Sequence, residues 1–188
     1  METKASLELR EEHEGIRVML RIMEAIRRQA QDRGDLNEAH FAAILEFLDV
    51  FVDRCHHAKE EELLFPALEK KGVSKDGGPM SVILHEHVLG RRLVEAMGAS
   101  FGAYSRGNRS ALKEISAGIQ EYISLLSEHI EKESGILFDM AGYVLSETEQ
   151  EALHEGFDRI ETERIGAGKH EEFHALLHTL SGIYLKKA

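Results

Sequence analysis

Residues 56–65 read His-His-Ala-Lys-Glu-Glu-Glu-Leu-Leu-Phe, and residues 129–138 read His-Ile-Glu-Lys-Glu-Ser-Gly-Ile-Leu-Phe. The two stretches agree at His, Lys, Glu, Leu and Phe with a constant offset of 73 residues. Glu12-His13 and Glu86-His87, each followed four residues later by an arginine (Arg17 and Arg91), repeat with an offset of 74. The chain is therefore an internal duplication of a helix pair, with one His on the first helix of each pair and His-x-x-x-Glu on the second.

Working outward, each repeated stretch lies on an apolar stripe of helical period. The stripes are Leu9, Ile16, Leu20, Met23; then Phe41, Leu45, Leu48, Val52, Leu63, Ala67; then Met80, Ile83, Val94, Met97, Phe101; and Leu112, Ile115, Ile119, Tyr122, Leu126, Ile136, Met140. Breaks fall at Gly34, at Lys71-Gly72 and in the Ser105–Ser110 segment. An Asp35-Leu-Asn-Glu38 capping box is expected to open the second helix, Pro79 the third, and Ser146-Glu-Thr-Glu149 a more polar tail that is interrupted at Gly166 to Gly168 and resumes to Tyr184. Pro66 is expected to kink or shorten the second helix. The expected fold is all-α: an up-down-up-down four-helix bundle over residues 1–145, with an additional C-terminal helical segment over 146–188 packed on its outside.

Composition narrows the function. The 188 residues carry 23 Lys+Arg against 34 Asp+Glu, a formal charge of −11, which argues against nucleic acid and anionic lipid as partners. One cysteine, Cys55, excludes an intramolecular disulfide framework, and no apolar signal core or membrane-length run is present, so a cytoplasmic protein is expected. Histidine, with 11 residues, outnumbers phenylalanine with 8. On a helical wheel His56, Glu60, His129 and Glu133 interrupt apolar stripes, as do His13 between Leu9 and Ile16 and His87 between Ile83 and Val94. Four imidazoles and two carboxylates thus aim at one interior. Unpaired buried carboxylates are costly, and a divalent metal resolves the cost. Imidazole with carboxylate favours iron, manganese or zinc over calcium or magnesium, and each carboxylate is able to bridge two ions.

Six further histidines are expected to be bland. His57 and His85 lie off the stripes and read as exposed, His40 as a surface residue near a helix start, and His170, His174 and His178 as a polar face of the tail. Glu61, one position round from Glu60, is expected to be dispensable for metal. Arg17 and Arg91 lie one turn beyond a ligand histidine, where they either hold groups around the centre or cover apolar surface and pair with Glu12, Glu86 or water.

The pieces EHEGIR, HHAKEEELLFPAL, EHVLGR and HIEKESGILF together resemble bacterial hemerythrin-like proteins of the HHE cation-binding class over about residues 10–142. The resemblance implies two non-haem iron ions with a bridging oxo or hydroxo group, Glu60 and Glu133 as bridges, and His13, His56, His87 and His129 as terminal ligands; zinc or manganese is compatible with the same donors in a recombinant preparation. The chain departs from the oxygen-carrying hemerythrins, which have HxxxH on the third helix and a final HxxxxD; here Arg91 follows His87 and the last carboxylate is Glu133. The functions this implies are binding or sensing of O2, NO or a related small oxidant such as peroxide. The alternatives are a di-iron oxidoreductase that reduces peroxide or NO, or an iron-centre repair or iron-storage protein in a stress response. A fifth ligand such as His85 or Tyr122 and the oligomeric state stay open at this level.

Overall fold

In the computed structural model, which describes residues 4–185, six helices follow one another without strands among the described residues. Helix α1 is Lys4–Arg33, and α2 spans residues 38–70. Helix α3 is Pro79–Ser105, and α4 spans residues 112–144 after a 3-10 turn at Arg109–Ala111. Helix α5 covers residues 147–166 and α6 is Lys169–Tyr184. Short connections make neighbours antiparallel: α3 packs on α4 and α2, and α1 packs on α4 and α2. The hairpin-like breaks depend on glycine, since Gly34 and Gly72 adopt φ of 73° and 87°. Helices α5 and α6 lie against α1 and α2.

Capping follows local chemistry. Ser146 and Glu149 form the reciprocal capping box at the start of α5, and Pro79 occupies the first turn of α3. At α2 the cap is Asn37, whose side chain accepts from the His40 backbone N–H at 3.0 Å, not Asp35. The amide oxygen two residues closer to the first turn reaches the free donor. Pro66 is accommodated in the first turn of the α-helical segment Phe65–Lys70, and the helix runs on to Lys70.

The apolar stripes hold until the glutamates and then slip by one residue. Beyond Glu60 the buried positions are Leu64, Phe65 and Leu68 instead of Leu63 and Ala67. Beyond Glu133 they are Leu137, Phe138 and Ala141, while Ile136 is 44% exposed. The cause is the same in both halves: a wide π turn at Glu60–Leu64 and at Glu133–Leu137, closed by i→i−5 bonds from Phe65 N–H to the Glu60 carbonyl and from Phe138 N–H to the Glu133 carbonyl. One extra residue per turn advances the register by one. A longer π stretch, Phe47–His57, precedes the first of these in α2.

Two apolar clusters sit on either side of the histidine layer. The larger includes Ile16, Met23, Phe47, Val52, Ile119, Tyr122 and Leu126. The smaller includes Leu9, Leu64, Phe65, Ile83, Leu137 and Phe138. Burial of each large side chain contributes about 1.5–3 kcal/mol, and the polar layer between them is sealed from water by both.

Candidate metal centre

His13 from α1, His56 and Glu60 from α2, His87 from α3, and His129 and Glu133 from α4 are all buried. They form two groups, His13, His56, Glu60, Glu133 and Glu60, His87, His129, Glu133, in each of which one ligand atom per residue lies within 4.8 Å of the others. Both groups share both glutamates. Residues so arranged could hold two ions, with the carboxylates between them and two imidazoles at each end.

The inner atoms fit cations. Both carboxylate oxygens of Glu60 and of Glu133, with Nε2 of His87 and of His129, are buried without a hydrogen-bond partner, although Glu133 lies 3.1 Å from His13 Nε2 and 3.2 Å from His129 Nε2. Nε2 of His13 and Nε2 of His56 face each other at 3.0 Å. Orphaned buried carboxylates of this kind are rare in stable folds unless an ion fills the space between them. Titration directions agree. Burial and the neighbouring Glu133 raise the Glu60 carboxyl, and burial pushes His13 down to about 4. At His87 burial opposes charge, yet the surrounding Glu133, Glu60 and Glu61 carry it up to about 11. The carboxylate pair draws positive charge in between.

Each imidazole is oriented from outside through its other nitrogen. Glu12 accepts from His56 Nδ1 at 2.7 Å and Glu86 from His129 Nδ1 at 3.1 Å. These glutamates are in turn held by Lys59, at 2.5 Å, and by Lys132. The repeated Glu of Glu-His and the repeated Lys therefore serve the histidine of the next helix. Glu61 faces His87 Nδ1 at 2.6 Å, and its counterpart Ser134 faces His13 Nδ1 at 3.1 Å. Phe138 stacks on His13 and Phe65 on His87, with ring centres 5.1 and 6.2 Å apart.

Several expectations need correction. Arg91 pairs with Asp53 and Glu61, both at 2.7 Å, so it supports the carboxylate that orients His87; Arg17 pairs with Glu131 and Glu14. Glu61, expected to stand apart from the site, lies 2.6 Å from His87 Nδ1. His57 is buried, stacked on His87 at 3.8 Å, because the π stretch turns residues 56 and 57 inward together. Its repeat counterpart is the buried Ile130, an apolar position, and this was the available sign that His57 faces the core. His85 is exposed, and Tyr122 is buried beside a cavity of about 160 Å³ that Asp53, His57, Gly90 and Arg91 also line. His174 and His178 are exposed on α6, but His170 is half-buried 3.4 Å from Glu161.

The match to known families falls on this same set of helices. A family model described as the hemerythrin HHE cation binding domain covers residues 5–141. The chain belongs to the hemerythrin HHE family. Among relatives, the HHE chain is 28% identical over 151 residues to the uncharacterized protein Rv1995 of Mycobacterium tuberculosis, covering 80% of this chain and 58% of that protein. It is 33% identical over 88 residues to the iron-sulfur cluster repair protein YtfE of Edwardsiella ictaluri, covering 46% of this chain and 40% of that one. The corresponding figures for YtfE of Yersinia pestis are 33% over 105 residues, 55% and 45%. The chain thus spans about half the length of the curated relatives it matches. No solved structure gives a significant match. No helix among the described residues is long and apolar enough to cross a membrane.

Proposed function

We propose that this HHE chain is a non-haem di-iron protein that binds or senses O2, NO or a related small oxidant, with His13, His56, His87 and His129 as terminal ligands and Glu60 and Glu133 as bridges. The observation that carries the reading is the pair of buried glutamates with all four carboxylate oxygens unpartnered and shared by two His-containing groups. Iron at such a site supplies redox-dependent affinity for small oxidants. The chain's own residues fix the donors: Glu12, Glu86, Glu61 and Ser134 set the ring orientations. The apolar clusters exclude bulk water, which limits exchange to small neutral molecules.

A second reading takes its support from the relatives named as iron-sulfur cluster repair proteins: the same centre then donates iron to, or repairs, damaged iron sites, or reduces NO or peroxide. Iron-replete anaerobic purification should give two irons per chain by elemental analysis; one or none would count against both readings. Reduced protein titrated with O2, NO and H2O2 under ultraviolet-visible spectroscopy separates them. A reversible adduct supports binding, and irreversible oxidation with turnover supports an enzyme.

A further inference from the structure

His170 and His174 stand one turn apart on α6, and both line a cavity of about 300 Å³ between α1, α5 and α6. Five carboxylates share its wall: Glu8, Glu11 and Glu12 from α1, and Asp158 and Glu161 from α5. Glu161 lies 3.4 Å from Nδ1 of His170, yet that nitrogen is buried and makes no hydrogen bond. A buried imidazole nitrogen left in this way is an exception in stable folds and calls for a partner. His170, Glu161 and Glu12 also form a group in which one ligand atom per residue lies within 4.8 Å of the others.

No ion fits at the middle of that group, because the Lys59 ammonium already lies 2.5 Å from both Glu12 and Glu161. The room is outward, towards His174, whose ring centre is 4.7 Å from that of His170. Imidazoles four residues apart on a helix present both rings to one ion, as in the HExxH helices that hold zinc. His174 is exposed, so its ring is able to turn towards that ion. Two imidazoles with a carboxylate make a donor set for zinc(II), iron(II) or cobalt(II), not for calcium or magnesium. We propose that His170, His174 and Glu161 hold one divalent transition-metal ion, at a position separate from the six inner donors and independent of what those bind. Its ligands come from both sides of the turn at Gly166 and Gly168, where φ is 107° and 85°, so the ion clasps α6 to α5. His178, one turn further along α6, does not line the cavity and takes no part.

The test uses zinc(II) as probe and the full chain, first loaded with iron under anaerobic conditions and cleared of loosely held metal. Equilibrium dialysis with elemental analysis then counts the zinc taken up. Wild type should bind one more zinc per chain than His170→Ala or His174→Ala, whose affinity at this position should fall by more than about tenfold. The count is a difference between chains, so it stands whatever the inner donors hold. His178→Ala should match wild type. Equal uptake by wild type and His170→Ala would overturn the proposal; so would a loss in His178→Ala as large as in His174→Ala, which would put the zinc on the exposed outer ladder. His170→Gln serves if the alanine variant folds poorly. Limited proteolysis at the α5–α6 turn gives a second reading: zinc should slow cleavage in wild type and not in His174→Ala, and cleavage of wild type at one rate with and without zinc would contradict the clasp.

Discussion

The two halves of the duplication share a plan but differ in what surrounds it. In the first half Lys59 is 0% exposed, its ammonium enclosed by Glu8, Glu12 and Glu161. In the second, Lys132 is 37% exposed and, among the described residues, bound to Glu86. The cause is the tail. Helices α5 and α6 cover α1 and α2, and Gly156 of α5 packs against Leu63. Leu63's counterpart Ile136 is 44% exposed on α4. Duplication therefore preserves the six inner His and Glu residues with their Glu–Lys supports, and the covering of only one half turns an ordinary surface ion pair into a buried one. The inner positions differ more subtly, with Glu61 against Ser134 and His57 against Ile130.

The largest expected effects are those that should be equal in both halves. Glu60→Ala and Glu133→Ala should each weaken metal binding by more than the roughly 10–100-fold typical of outer partners; metal-to-protein ratios after gel filtration check this. Loss in only one variant would mean that the halves do not share one centre.

The next effect should separate the halves. Lys59→Met leaves three clustered carboxylates without their cation and should cost about 3–5 kcal/mol, as for a broken buried pair. Lys132→Met, at a half-open surface pair, should cost under about 1 kcal/mol. Equal midpoint shifts in denaturant titrations would show that the tail does not bury the first pair in solution.

Smaller still is the pair of outer partners of His87 and His13. Glu61→Ala should lower metal affinity by about 10–100-fold and Ser134→Ala by about threefold or less, because a carboxylate raises imidazole basicity more than a hydroxyl does. Competition with a chromophoric chelator would measure both, and a neutral Glu61→Ala would remove Glu61 from the support of the centre. The smallest difference concerns the arginines. Arg91→Leu should keep both metals but shift the absorption of the centre, since it frees Asp53 and Glu61. Arg17→Leu should leave it unchanged, and matching spectra in the two variants would be the contrary result.

Much of this was legible in the sequence. The bundle, the helix breaks, the tail helices and the inward direction of His13, His56, Glu60, His87, His129 and Glu133 all follow from period and repetition. What escaped has one main source. A helical wheel assumes 3.6 residues per turn, and α2 and α4 abandon that value at the glutamates, so Leu63 and Ile136 were assigned to the core while Leu64 and Leu137 occupy it. The separate π stretch Phe47–His57 hides His57. The partners of Glu12 and Glu86 were missed for another reason: His56 with Lys59 and His129 with Lys132 lie on the following helix, whereas the sequence offered Arg17 and Arg91 on the glutamates' own helices.

The cage around Lys59 also has an order in time. Every residue of the six-membered inner set has been made once the chain reaches residue 133, and two of the three carboxylates around the ammonium, Glu8 and Glu12, precede all six of them in the chain. The third, Glu161, is added 28 residues after Glu133, a delay of roughly a few seconds at about 5–20 residues per second. During that interval the donors of the centre exist while the ammonium beside Glu12 lacks its last counter-charge and its cover of α5. Assembly of the donors thus precedes closure of the shell around them, and a chain paused in that window has an α1–α2 face as open as the one on α3 and α4.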